Sequence, residues 1–550
     1  MKRIRLALAA TLLPATLSAQ LYWNTNTSAN TWTSANWGTT SSGPFTTAWA
    51  NNNDVIFSAT STATFASTSI GNVTVNNGLN VNVTAGGTLS TNNAVRTFDV
   101  GTGSTLTWTE QAVEANSTSG FIKNGAGTWN IGDQNNAYTG GFTLNAGTVI
   151  VSGNNSLGTG VLNLNGGTIQ STGPRSFGVT SITIGGDFAY AGAGSVTFNA
   201  PVALGSAIRS FANNKTGGAL TFSGVISGDT GGGLTFTSTQ TGTVGTTLTG
   251  ANTYTGGTTI GTNGRVVFAS GSLGTMGAIT VSDGSLSWSS GNTQDISSRL
   301  VMVNSTSALL DTGGNNITLA SAIGNSSSGA LTKSGAGTLT LSGANTYTGA
   351  TTINNGTLAL GSSGALASTS ISVASHTTFD VSAVTGGFTL ASGRTLGGAG
   401  TISGPVTVAS GGIIAPGDSI GTATFRGGLT LNTGSILNFE LGTTSDLIAV
   451  NGTLTGPGSI GGVTLNFSDS SGFTAGTYTL INYTTATGGF SASDFTIGSS
   501  VSGYTYNLAL SGNSLQLTAT TSAIPEPSTY AALAGTCALG LAFYRKRRRG

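Results

Sequence analysis

Charge is what this 550-residue chain has least of: only 6% of its residues are Asp, Glu, Lys or Arg, where an ordinary soluble domain has about 25%. It also has a single histidine (His376), a single cysteine (Cys537), three methionines and nine prolines. Each scarcity excludes something. One cysteine allows no internal disulfide, and one histidine with one thiol supplies no zinc or iron–sulfur ligand set. Without a basic stripe there is no electrostatic footprint for nucleic acid. Most acid–base enzymes would be short of side chains. Apolar residues still make up 37%, so the chain can bury a core and is not a disordered polar tail.

What the chain has in abundance is glycine, 87 residues of it, set among Thr, Asn and Ser. Segments such as Thr338-Leu339-Thr340-Leu341 and Thr357-Leu358-Ala359-Leu360 alternate polar with apolar, the period-2 pattern of strands with one buried face. Asn-Gly and Gly-Gly steps between them supply the positive-φ positions of tight turns. No stretch of the body has a helical period. The pattern also repeats. Residues 335–360 read GAGTLTLSGANTYTGATTINNGTLAL, residues 245–268 GTTLTGANTYTGGTTIGTNGRVVF, and residues 125–151 GAGTWNIGDQNNAYTGGFTLNAGTVIV. The first two copies in chain order lead into SLGTGVLNLNGGTI (156–169) and SLGTMGAITVSDGSL (272–286). A unit of about 25 residues, nearly without charge, favours a parallel β-helix in which each coil stacks on the last. Turn Asn and Thr side chains are then expected to form hydrogen-bonded ladders along the axis.

The repeated GANTYTG-x-T-x-I-x-x-G-x-L-x-L pattern resembles the autotransporter-associated β-strand repeat of bacterial passenger domains. The copy at 245–268 departs from it at Arg265-Val266, and the copy at 125–151 at Ala137. Residues 396–454 also look like the last coils of such passengers. The resemblance implies a right-handed parallel β-helix, and the scarcity of charge argues against an enzyme. Residues after 454 are too few for a membrane β-barrel, so passenger architecture is expected without self-secretion machinery.

Both ends carry targeting patterns. Lys2, Arg3 and Arg5 precede an apolar run, Leu6 to Leu13, with a small-residue Ser18-Ala19 step before Gln20; this is the pattern of a signal peptide over 1–19. At the other end Pro525-Glu526-Pro527 precedes an uncharged apolar stretch, 528–544, and then Arg545, Lys546, Arg547, Arg548 and Arg549. A transmembrane helix is expected over the apolar stretch, with the basic cluster cytoplasmic. This order resembles the PEP-CTERM sorting signal of Gram-negative bacteria. The resemblance implies an exosortase-type processing enzyme as partner, transient inner-membrane anchoring, and delivery to the cell surface or extracellular matrix. Cys537 falls inside that helix as a small apolar filler.

The expected organisation is therefore mainly β. A signal peptide (1–19) is followed by an N-terminal cap with the first coils (20–120), the β-helix (121–463), a C-terminal β cap (464–523) and the sorting segment (524–550). The tail also explains the apparent electroneutrality. Three of the eighteen basic residues lie in the signal segment and five in the terminal cluster, and one of the seventeen acidic residues is Glu526. The body between keeps ten basic and sixteen acidic residues, a net charge of −6.

Candidate chemistry is sparse. Glycosidase action needs two carboxyls about 5–9 Å apart. The body offers Glu110 and Glu114 and otherwise isolated residues such as Asp187, Asp283, Asp295, Asp311, Asp380, Asp418 and Asp446, most of them beside Gly, Ser or Asn, where an Asx-turn is the ordinary role. His376 reads as a turn or surface residue. No catalytic group, cofactor or metal is expected. Trp23, Trp32, Trp37 and Trp49 cluster near the start; they fit an indole-packed cap, or, for Trp32 and Trp37, a sugar-stacking platform. Two readings follow: a structural or adhesive surface protein with exopolysaccharide or other surface proteins as its partners, and a β-helix polysaccharide-processing enzyme or glycan-binding protein of the exopolysaccharide matrix.

Overall fold

The computed structural model describes residues 20–23, 30–31, 37–38, 53–65, 68–85, 89–90, 93–108, 118–132, 136, 138–241, 245–324, 327–522 and 527–547. The chain is built almost entirely of short strands. They form two compact units, residues 1–337 with 345–347, and residues 338–344 with 348–550. Each unit is a parallel β-solenoid.

In the first unit the strands stack into long parallel ladders. One runs from Gln20–Trp23 through Asp54–Phe57, Val73–Val75, Val95–Val100 and Gly120–Asn124 to Ile226–Ser227. A second runs from Asn30–Thr31 to Leu300–Met302. A third starts at Arg175–Phe177 and includes Thr246–Leu248, Arg265–Phe268, Gly284–Trp288, Ser307–Asp311 and Ala330–Ser334. Many of the hydrogen bonds from coil to coil join residues 20 to 26 apart in sequence. That is the unit length the repeats predict.

The alternation predicted for each strand sets its burial. In Thr148–Val151 and Arg265–Phe268 every second residue is buried, and these inward positions stack into a continuous core. Aromatic rings stack there too. Phe98 lies flat on Trp129 with centroids 4.1 Å apart, and Phe177, Phe198 and Phe222 follow one another at 5.4 and 5.0 Å. Such contacts add about 0.5–1.5 kcal/mol each beyond burial of area. Outside, the expected ladders form: Asn145 donates to Asn124 at 2.8 Å and Asn165 to Asn145 at 2.9 Å.

The second unit repeats the scheme with a more aliphatic core. One ladder runs from Thr351–Ile353 through Ser370–Val373, Thr395–Gly398, Ile413–Pro416 and Ser435–Leu441 to Val463–Asp469 and Phe495–Ile497. Another joins Thr338–Leu341 to Leu447–Thr455, and Gly476–Thr487 adds to it in parallel. The stacking therefore continues well past residue 464. Pairing turns antiparallel where Ser514–Thr521 joins Gly476–Thr487 and makes a hairpin with Tyr504–Ser511. At the other end of the chain Trp37–Gly38 pairs antiparallel with Gln20–Trp23. An antiparallel finish stops coil-on-coil addition at an exposed edge.

The expected terminal helix is present as Pro527–Lys546, 20 residues long. It differs from the expectation in one respect: no helix among the described residues is long and apolar enough to cross a membrane. Ser528, Thr529, Gly535, Thr536 and Gly540 dilute its apolar content, and arginine enters its last turn.

Candidate functional site

The three repeat copies fold into the same corner, and its parts can be followed residue by residue. In each, an Asn and a Tyr two positions on are buried: Asn136 with Tyr138, Asn252 with Tyr254, Asn345 with Tyr347. The Asn side chain ties successive coils together. Asn252 Oδ1 accepts the Ile226 amide from the preceding coil at 2.7 Å, and its Nδ2 donates to the Ser272 carbonyl of the next at 2.6 Å. Asn136 donates in the same way to the Ser156 carbonyl at 2.9 Å, and Asn345 accepts the Ile323 amide at 3.0 Å. These bonds satisfy backbone groups that would otherwise be buried unpaired.

The tyrosine explains the Ser-Leu-Gly motif one coil later. Ser156 and Ser272 present the carbonyls just described, Leu157 and Leu273 enter the core, and Gly158 and Gly274 lie against the tyrosine rings. Gly158 and Gly274 have φ of +72° and +70°, and a Cβ on Gly274 would sit 2.7 Å from Tyr254 Cε2. Only glycine fits both demands. The Tyr254 hydroxyl shares a 2.7 Å hydrogen bond with Thr258 Oγ1, and burial pushes its pKa up to about 12.

A second shared feature was not anticipated. Lys123 and Lys333, both third in their repeat copies, occupy inward strand positions and are fully buried. Their ammonium groups cap the Gly-Ala-Gly turn that follows. Lys123 Nζ donates to the carbonyls of Asn124, Gly125 and Ala146 at 2.5, 2.7 and 3.2 Å, and Lys333 Nζ to those of Ser334 and Gly335 at 2.8 and 2.7 Å. Lys215 does the same for Gly194 and Ala219, 5.1 Å from the Tyr190 ring centroid. Desolvation lowers all three lysines to about 8. Alternation reads these lysines as polar breaks; the signal for the capping role is the Lys-x-Gly-Ala-Gly-Thr string that 123–128 and 333–338 share.

The carboxylates hold turns. Asp187 accepts the Ser210 amide, Asp295 those of Ser297 and Ala320, Asp311 that of Gly313 and Asp380 that of Ser382. Asp418 accepts from the Ser372 hydroxyl. The nearest thing to a pair is Asp446 with Glu440. Asp446 is buried, and desolvation, with Glu440 adding to it, raises it to about 6. Both its oxygens are taken by the backbone amides of Gly421 and Glu440 at 2.8 Å, so it latches a turn rather than facing a substrate. No group of three His, Cys, Asp or Glu fit to hold a metal ion exists among the described residues. His376 is exposed in a turn with φ of +64°.

One groove stands out on the outer face of the first unit. It has a volume of about 360 Å³ and is lined by Gln240, Asn263, Arg265, Asp283, Ser285 and Leu309, among others. Gln240, Asn263 and Arg265 come from the repeat copy that has Thr241 where the other two have lysine, and Asp283, Ser285 and Leu309 from the coils that follow it.

Several residues singled out by sequence lie outside the described residues: Trp32, Trp49, Glu110, Glu114, Pro525, Glu526, Arg548 and Arg549. Trp37 falls in the short strand Trp37–Gly38. Pro527 begins the terminal helix and Lys546 ends it; Arg545 and Arg547 are exposed. Cys537 is an exposed free thiol on that helix.

The fold is thus a β-solenoid whose coils are joined at repeated Asn–Tyr corners. The segments that build those corners, residues 121–151, 239–268 and 331–360, match the passenger-associated-transport-repeat family. No curated protein matches the chain. Among solved structures it is similar to the crystal structure of the Haemophilus influenzae Hap adhesin. That match has 12% identity and a TM-score of 0.23, and it covers 85% of this chain and 64% of that one. A superposition that loose carries no argument about function.

Proposed function

We propose that the protein is an exported, non-enzymatic surface or matrix protein of a Gram-negative bacterium, with the solenoid as its structural or adhesive element. The observation that carries this reading is the set of three passenger-type repeats, each folded into the same inter-coil corner. The engagement of Asp187, Asp295, Asp311, Asp380 and Asp446 by backbone amides supports a role in shape and adhesion over one in bond cleavage.

The tail residues Pro525, Glu526 and Pro527, with Arg545, Lys546, Arg547, Arg548 and Arg549, act in this reading as the signal for an exosortase-type processing enzyme. The modest apolarity of the helix between them suits a transient hold at the inner membrane better than a permanent anchor. Released material would join the cell surface or the exopolysaccharide matrix.

Fractionation of cells expressing the full chain and a chain ending at 523 tests this, with mass spectrometry of the C-terminus. Surface-exposed protein ending near 525–527, and retention inside the cell of the shortened chain, are expected. Full-length protein in the inner membrane would replace the sorting signal with a plain anchor. Cytoplasmic protein would remove the export reading altogether.

A further inference from the structure

We infer that the groove around Arg265, Asp283 and Ser285 is a binding subsite for a saccharide. Ladder register places Arg265, Ser285 and Leu309 in one row across three adjacent strands. At ~4.8 Å per strand the row spans roughly 10 Å. Leu286 and Trp288 enter the core from the same strand, so alternation turns Ser285 to the outer face, where the groove lies.

Ser285 carries the argument. It is 5% exposed, it lines the groove, and its hydroxyl has no hydrogen-bond partner in the protein. A buried hydroxyl left unpaired is costly to a fold; Ser156 and Ser272 bond to the backbone, while Ser61 and Ser435 share the unpaired state of Ser285 but do not line this groove. A ligand hydroxyl in the groove would complete what the strand leaves open.

The remaining lining fits a polyhydroxylated ligand. Arg265 offers a fork of donors, Asn263 and Gln240 each offer donors and an acceptor, and Asp283 accepts. One Asp283 oxygen already takes the Ser307 amide at 2.9 Å, which leaves the other for a ligand hydroxyl. Donors and acceptors alternating over a few ångströms match the vicinal hydroxyls of a pyranose, and Leu309 supplies an apolar surface for its C–H face. The corner is pre-set. Asn263 and Asp283 hold φ of +55° and +57°, the Asn263 amide donates to the Asp283 carbonyl at 3.0 Å, and the Asp283 amide donates to that of Ser307 at 3.0 Å. A site held rigid before binding loses less entropy on binding.

The groove has one carboxylate in its lining, and glycoside hydrolysis uses two; the site binds and does not cut. Its volume is near the lower bound of ligand pockets, about 300 Å³, which suits one or two sugar units of a longer chain. The saccharide is neutral or a uronate. Arg265 serves the hydroxyls of the first and the carboxylate of the second. The inference deepens the proposed surface role and rests on it for its biological meaning only.

The test is binding of maltotriose and of trigalacturonate to the purified full chain, by titration calorimetry and saturation-transfer NMR. Ser285→Ala is expected to weaken binding of the preferred probe about fivefold, and Arg265→Gln at least tenfold if that probe is the uronate. Asp380→Asn, on the second unit, should change nothing. Unchanged thermal unfolding shows that the variants fold. Binding of neither probe by the wild-type chain, or equal binding by wild type and both groove variants, overturns the inference. A chain that binds sugar but stays inside the cell leaves the subsite intact and removes the surface role; a surface protein that binds neither probe does the reverse.

Discussion

The copies of the repeat at 121–151 and 239–268 share their Asn–Tyr corner and differ in the turn before it. In the first, Lys123 is buried beneath a Gly-Ala-Gly turn and bonded to three carbonyls. In the second, Thr241 stands at that position, and with Gln240 it lines a polar groove. The corner is therefore what stacking demands, and the turn is where one coil can depart from its neighbours. A solenoid keeps its rise by repeating the first and gains individual surface by varying the second.

The sharpest way to break this comparison is to attack the shared corner. Gly158→Val or Gly274→Val forces a β-branched side chain into a left-handed conformation and against a tyrosine ring. Each is expected to cost roughly 3–5 kcal/mol, measured by urea unfolding followed by circular dichroism. A loss under about 1 kcal/mol would mean that the corner tolerates remodelling. Asn252→Ala orphans the buried Ile226 amide and the Ser272 carbonyl, and should cost about 2–3 kcal/mol.

The turn comes next. Lys123→Met or Lys333→Met keeps the volume and leaves the turn carbonyls short of a donor, for an expected loss of about 1–3 kcal/mol. The same lysines set a pH dependence. Unfolded, each holds its proton to about 10.5; folded, it releases it near 8. Between those values the unfolded state binds more protons, so stability rises with pH. Wild type should thus gain stability from pH 8 to pH 10 relative to the Lys123→Met/Lys333→Met double variant. Parallel curves would show that burial does not depress these lysines. Smallest of all, Arg265→Gln in the groove should leave stability within about 0.5 kcal/mol, since the groove belongs to no inter-coil contact that the corners supply.

Much of this architecture is legible in the sequence. The Thr-Leu-Thr-Leu alternation at 338–341 gives a strand with both leucines buried, and the coil length follows from the repeat period. The Asn ladder of 124, 145 and 165 is foreseeable because these residues share a turn position in successive coils. The buried lysines are not, because a charge at an inward position is readable only when the carbonyls around it are known. The groove was equally hidden. Arg265-Val266 shows in the sequence as a departure from the repeat, yet its meaning depends on Ser285 and Leu309 arriving beside it from two later coils. The terminal helix was legible as a helix, while the length of parallel stacking beyond residue 464 was obscured by its longer aromatic strands.

Hydrogen exchange at the Ile226 and Ile323 amides tests most directly whether the repeated asparagines join the coils. Both amides donate to an asparagine side chain, Asn252 and Asn345, rather than to a neighbouring strand. Mass spectrometry with residue-level fragmentation should find them as protected as ladder amides in wild type, and Asn252→Ala should release Ile226 while leaving Ile323 slow. Fast exchange at both amides in the wild-type protein would contradict the account.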